Sequence, residues 1–161
     1  MKRRLLLPVT AVIMLLFAAC LKKDDTPPFD VIGQYNTDSA KIVAYLNANN
    51  ITNVKHDPGN IFYQIVNRGD TRDTANAAAY VTVAYTGTFL DKSQFDKSDS
   101  LDIGLNEVIP GWTIGVPKIG RGGEINLFLP SAFGYGRRGQ GSVAPNTVLI
   151  FNIKLKKFTN R

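Results

Sequence analysis

Between Val148 and Phe158 the chain reads VLIFNIKLKKF. Phe151, Ile153 and Leu155 alternate there with Ile150, Asn152, Lys154 and Lys156. A period of two belongs to an extended strand, because only a strand sends successive side chains to opposite faces. This segment therefore predicts a long final strand with one apolar face, and the rest of the chain has to supply its neighbours. Ile61–Val66 (IFYQIV) and residues 80–90 (YVTVAYTGTFL) are β-branched and aromatic, and both read as strands. Glu124–Leu129 (EINLFL) is a further strand, closed by Pro130. Gln94-Phe95-Asp96 and Leu101-Asp102-Ile103 read as two short extended pieces. Turns punctuate the series at Asp57-Pro58-Gly59-Asn60 and Asn67-Arg68-Gly69-Asp70.

Two helices stand out against this background. Thr37-Asp38-Ser39 offers N-caps, and Ile42, Val43, Tyr45 and Leu46 follow at helical spacing, so residues 38–49 are predicted as an amphipathic helix. Its apolar stripe must bury against something, either its own domain or a second copy of the chain. Pro110 suits the first turn of a short helix that Pro117 and Gly120 end. Strands separated by turns, with one short helix among them, imply an antiparallel α+β domain.

The N-terminal end follows other rules. Lys2-Arg3-Arg4 precedes an apolar run from Leu5 to Ala19 that ends in Ala18-Ala19-Cys20. A charged start, a short apolar core and small residues at the cut are the layout of a secretory signal. The run is too short for a comfortable membrane span. The placement of Cys20 resembles a bacterial lipobox, in which Cys20 is lipidated and becomes the new N-terminus. A signal with an incidental cysteine, or an uncleaved anchor, are the alternatives. The organisation expected is a lipoprotein signal peptide at 1–19, a tether at 20–36, a helix and linker at 37–59 and a folded domain at 60–161. Leu21 after the cysteine fits transfer to an outer membrane, on its periplasmic or surface face.

Several functions are excluded by composition. Loss of Lys2, Arg3 and Arg4 takes the net charge from +6 to +3, with no basic stripe or arm, which argues against nucleic acid as a partner. One cysteine forms no intrachain disulfide, and with His56 as the single histidine neither a zinc site nor a Ser-His-Asp triad can be assembled. No cofactor is expected. Pattern alone thus ends at a small β-rich domain with no catalytic acid, base or nucleophile.

Three stretches in order carry a resemblance that goes further. Val83-Ala84-Tyr85-Thr86-Gly87 with Phe95-Asp96, then Glu107-Val108-Ile109-Pro110-Gly111-Trp112 with Gly115-Val116, then Phe133-Gly134-Tyr135-Gly136 with Pro145-Asn146 and Leu149-Ile150-Phe151, resemble the motifs of FKBP-type peptidyl-prolyl cis–trans isomerases. The likeness runs over about residues 60–158. It implies an antiparallel sheet of five or six strands wrapped around the helix at Pro110. It also implies proline-containing polypeptides as partners and macrolides such as FK506 or rapamycin as ligands.

The chemistry so implied needs no titrating group. An X–Pro bond rotates over a barrier of about 18–20 kcal/mol raised by amide resonance. Twisting the bond breaks that resonance and leaves the amide less polar, so a dry aromatic pocket favours the twisted state. By resemblance, Trp112 is the pocket floor, and Tyr85, Phe95, Val108, Ile109 and Phe151 are its walls. Tyr135 donates its hydroxyl to a substrate carbonyl, the Ile109 N–H binds another, and Asp96 orients the amide at the rim. Composition alone would read Trp112, Phe95 and Phe151 as plain core; the E-V-I-P-G-W context reverses that for Trp112. A proline-binding chaperone or interaction module with little turnover is the alternative function. The sequence departs from the family pattern between Asp96 and Glu107, where the usual Arg and a further Phe have no counterpart. That departure predicts a pocket open along one wall, with Arg137 or Arg138 reaching Asp96 instead.

Overall fold

A computed structural model describes residues 29–58 and 60–161. The signal peptide expected at 1–19, the lipidated Cys20 and residues 20–28 of the expected tether lie outside the described residues. Helix α1 spans Val31–Ala48. The strands are β1 (Lys55–His56), β2 (Phe62–Asn67), β3 (Asp70–Thr74), β4 (Tyr80–Thr88), β5 (Gln94–Gly104), β6 (Gly120–Arg121), β7 (Glu124–Leu129) and β8 (Leu149–Thr159). Helix α2 spans Pro110–Gly115 and runs into a single 3-10 turn.

Six strands form one antiparallel sheet in the order β1-β2-β7-β8-β4-β5. The final strand, β8, sits between β7 and β4. Its alternation sorts residues as its pattern predicts. Phe151, Ile153 and Leu155 join Val81, Val83, Ile125, Leu127 and Leu129 on an inner face packed against Trp112 and Val116. Ile150 and Phe128 point to the outer face, where Ile42 and Leu46 of α1 cover them together with Phe62. Ile42 and Leu46 of the expected stripe are thus buried on the protein's own sheet, Tyr45 partly so, while Val43 stays exposed. Helix α2 approaches the inner face very closely. A Cβ on Gly111 would lie 2.4 Å from Leu129, and one on Gly115 would lie 2.5 Å from Leu127. Two glycines four residues apart share one helix face, so this face must stay bare for the helix to dock.

The structure corrects three expectations. Helix α1 begins at Val31, with Asp30 as N-cap accepting a 2.8 Å bond from the Gly33 N–H, so residues 31–36 of the expected tether are helical. Asp38, a candidate cap, is instead wholly buried within the helix. Segments 94–96 and 101–103 are parts of one strand, kept in continuous pairing with β4 by two irregularities, between Val83 and Tyr85 and between Gly87 and Thr88. At each, β5 carries one residue more than β4, the geometry of a β-bulge. Finally, β3 and β6 form a separate two-stranded ribbon that no alternating apolar pattern announced. All five residues of β3 are exposed, so burial left no mark on their order.

Candidate active site

The core of α2 and the strands beside it leave a cleft of about 380 Å³ on the inner face of the sheet. Tyr85, Asp96, Val108, Ile109, Trp112, Tyr135 and Phe151 line it, with Leu101, Ile103, Glu107 and Gln140. These residues come from β4, β5, the segment ahead of α2, α2 itself, the loop after β7, and β8.

Trp112 lies at the centre. Its ring meets Tyr85 edge-on with 4.9 Å between centroids and Phe151 edge-on at 5.3 Å. Edge-to-face contacts suit the quadrupoles of aromatic rings and fix their orientation. Phe95 continues the chain of rings by meeting Phe151 at 5.5 Å and Phe89 at 4.9 Å. It does not itself line the cleft. Phe95 occupies the extra position of the second bulge in β5, and its ring rests on Gly87, where a Cβ would lie 2.6 Å from the ring edge. It therefore backs Phe151 from behind.

Polar groups sit at the mouth. The Tyr85 hydroxyl donates to Asp96 Oδ2 at 2.6 Å, and the Lys97 N–H donates to Asp96 Oδ1 at 2.8 Å. Burial, then the Asp96 hydrogen bond, hold the Tyr85 hydroxyl well above the ordinary phenol range. Burial, then the charge of Asp96, push Tyr135 up as well. Both phenols stay protonated at neutral pH, and Tyr85 donates to Asp96. The Tyr135 hydroxyl has no hydrogen-bond partner among the described residues. Ile109 is the N-cap residue of α2, so its own N–H stands ahead of the helical ladder. The buried indole N–H of Trp112 has no acceptor either.

The wall expected to be open is built differently. Leu101 and Ile103 line the cleft between Asp96 and Glu107. The bulge between Val83 and Tyr85 lets both stay paired to β4, opposite Val83 and Val81. Neither arginine reaches Asp96. The Arg137 guanidinium instead lies 4.3 Å from the centroid of Phe29, and Asp96 has no ion pair among the described residues. Leu101, Ile103 and Gln140 were missed as site residues because their placement depends on bulges and a loop, which leave no periodic signal.

The sequence model of the family described as FKBP-type peptidyl-prolyl cis-trans isomerase matches residues 71–156, more than half of the chain. The chain belongs to the FKBP family. Among relatives, the FKBP-type peptidyl-prolyl cis-trans isomerase FkpA of Aeromonas hydrophila is 40% identical over 106 residues, covering 63% of this chain and 39% of that protein. FK506-binding protein 1 of Saccharomyces cerevisiae is 34% identical over 106 residues, covering 62% of this chain and 93% of that protein. The chain therefore spans about two fifths of the length of the FkpA relatives and nearly the whole of the yeast protein. The crystal structure of FkpA from Escherichia coli superposes with a TM-score of 0.68 at 30% identity, over 79% of this chain and 61% of that one. A peptidyl-prolyl cis-trans isomerase from Pseudomonas syringae gives 0.69 at 24% identity, over 83% and 98%, a likeness of fold. The FKBP match begins at residue 71, so α1 lies outside it while the residues it packs on, Phe128, Ser131 and Ile150, lie inside.

Proposed function

We propose that this protein is a peptidyl-prolyl cis–trans isomerase acting on exported polypeptides. The observation that carries the reading is the ring set Tyr85–Trp112–Phe151 lining an open cleft large enough for a prolyl ring and its flanking peptide, with protonated phenols at its mouth. A prolyl ring lies on Trp112 between Tyr85, Val108 and Phe151, with Phe95 stiffening Phe151 from behind. The hollow excludes water from the imide bond, which favours the less polar twisted amide over the planar one. Tyr135 and the Ile109 N–H hold carbonyls on either side of that bond, and Asp96, oriented by Tyr85, faces it from the rim. Nothing is protonated or cleaved. The same hollow would take macrolides such as FK506 or rapamycin in competition with peptide.

We also propose that Cys20 is lipidated and holds the domain at the cell envelope, on the outer membrane. The charged start, short apolar core and Ala18-Ala19-Cys20 support this. Cys20→Ala is expected to move the protein from the membrane to the soluble fraction.

A protease-coupled assay on an X-Pro peptide tests the activity. Purified residues 21–161 should speed an isomerisation that takes tens of seconds unaided, and Trp112→Ala should return the rate to background. A rate at background for the unaltered chain, unchanged by Trp112→Ala, would refute the enzyme. Background turnover with a peptide affinity that Trp112→Ala abolishes would instead establish the proline-binding chaperone.

A further inference from the structure

Asp38 is a carboxylate with no exposed surface, on a helix outside the family match, and nothing in the cleft chemistry uses it. Its Oδ2 accepts from the backbone N–H of Ser131 at 2.8 Å and from the Ser131 hydroxyl at 2.5 Å. Its Oδ1 accepts from Gln34 Nε2 at 2.8 Å, and Lys41 Nζ lies 4.0 Å away. Burying a carboxylate is costly unless its oxygens are paired, so this arrangement is held firmly once made.

Ser131 is where that grip meets the active site. Its carbonyl accepts from the Gly134 N–H at 3.0 Å and from the Gly136 N–H at 2.8 Å, the two residues flanking Tyr135. The Gly136 carbonyl in turn accepts from the Asn146 N–H at 2.9 Å, and the Tyr135 carbonyl from the Gly139 N–H at 3.2 Å. Both donors of Ser131 are thus held by α1, while its acceptor ties down both sides of Tyr135. A second contact comes from the same N-terminal segment. Phe29, just ahead of the cap of α1, lies under the guanidinium of Arg137, two residues past Tyr135. Gly136 and Gly139 stand at φ +58° and +66°, a conformation glycine adopts without strain, and the Ser131 carbonyl closes the turn ahead of both.

We propose that Asp38, carried by helix α1, acts as a positioning residue that sets Tyr135 through Ser131. Helix α1 does more than cover the outer face of the sheet: it reaches past the sheet end and fixes the one loop that brings a free hydroxyl to the cleft. The inference rests on the isomerase reading of that cleft for its kinetic consequences.

The test compares Asp38→Asn, Ser131→Ala and Ile42→Val in the otherwise intact mature chain. Ile42 lies on the buried face of α1 with Leu46, Phe128, Val148 and Ile150, so it reports loss of helix packing. Asp38→Asn places an amide donor against the Ser131 donors. It should raise KM for an X-Pro peptide about fivefold, with kcat changed less, and should speed hydrogen exchange at Gly134 and Gly136. Ser131→Ala keeps the N–H and should give a smaller shift in the same direction, and it keeps the test alive if Asp38→Asn fails to fold. Ile42→Val should lower Tm and leave KM and loop exchange unchanged. In a Tyr135→Phe background, Asp38→Asn should have no further effect on KM. Equal factors in both backgrounds, faster exchange without a kinetic change, or a KM rise in Ile42→Val that matches its loss of stability would each overturn the proposal. Should the unaltered chain prove inactive, the isomerase reading has failed on its own. The positioning role is then decided by peptide affinity, read from Trp112 fluorescence, with the same three outcomes.

Discussion

The two faces of the sheet are made by the same strands and do opposite things. On the inner face, Val81, Val83, Ile125, Leu127, Ile153 and Leu155 pack against α2 but stop short of filling the end near Trp112, Tyr85 and Phe151. On the outer face, one end is covered by Ile42 and Leu46, and the rest is a row of polar side chains. Asn126 donates to Gln64 Oε1 at 3.0 Å, and Asn152 donates to Asn126 Oδ1 and Glu124 Oε1 at 2.8 Å each. The register places Gln64 opposite Asn126, and Asn126 opposite Asn152, so these bonds run straight across three strands. Cross-strand pairs of this kind stabilise a sheet without needing a cover. The inner face thus has a hollow bordered by Tyr85, Trp112 and Phe151, whereas the outer-face strands carry covered apolar side chains and paired amides. A sheet can keep an unfilled aromatic site on one side when the other side is closed by a helix and by self-satisfied amides.

The difference can be broken from either side. Phe151→Ala should have the largest effect, because Phe151 belongs to both the core and the cleft. It should cost about 3–5 kcal/mol in urea unfolding and also abolish isomerase turnover. Leu46→Ala, on the outer face, should cost about 2–3 kcal/mol and leave kcat/KM within about twofold at temperatures where the chain stays folded. A fall in turnover as large as that of Phe151→Ala would erase the distinction between the faces. Tyr135→Phe should do the reverse, leaving Tm nearly unchanged while kcat/KM falls about fivefold, the worth of one hydrogen bond of about 1 kcal/mol.

The smallest effect concerns pH. Tyr85 and Tyr135 hold their protons in the folded state more tightly than the ordinary phenol value of 10.0. A raised folded pKa adds stability that is fully present below the unfolded value and is lost as pH climbs toward the folded one. Stability owed to these groups should therefore be flat from about pH 6 to 9 and decline above about pH 10. Tyr85→Phe should flatten that alkaline decline in a set of unfolding curves.

Much of this molecule was legible before any coordinates. Strand β8 follows from the alternation of Phe151, Ile153 and Leu155, and β7 from a run closed by Pro130, because burial of one face writes itself into order along the chain. The start of α2 at Pro110 is legible for a local reason, since a proline at the first turn loses no hydrogen bond. Tyr85, Asp96, Val108, Ile109, Trp112, Tyr135 and Phe151 were legible from motif resemblance, and the rings of Tyr85, Trp112 and Phe151 do come together. Tertiary structure decided the rest. Asp38 reads as a cap in the sequence, and only docking on Ser131 takes it into the interior, while the helix begins earlier on Asp30, within the expected tether. The two extra residues of β5 are visible only against β4; they put Phe95 behind Phe151 and Leu101 and Ile103 along the cleft. Arg137 had a choice between a carboxylate and a ring, and the path of α1 brought Phe29 to it. Periodicity, proline and motif act within a few residues and can be read in order along a chain. Which of two equal partners a side chain takes is settled by the distances that only the folded protein creates.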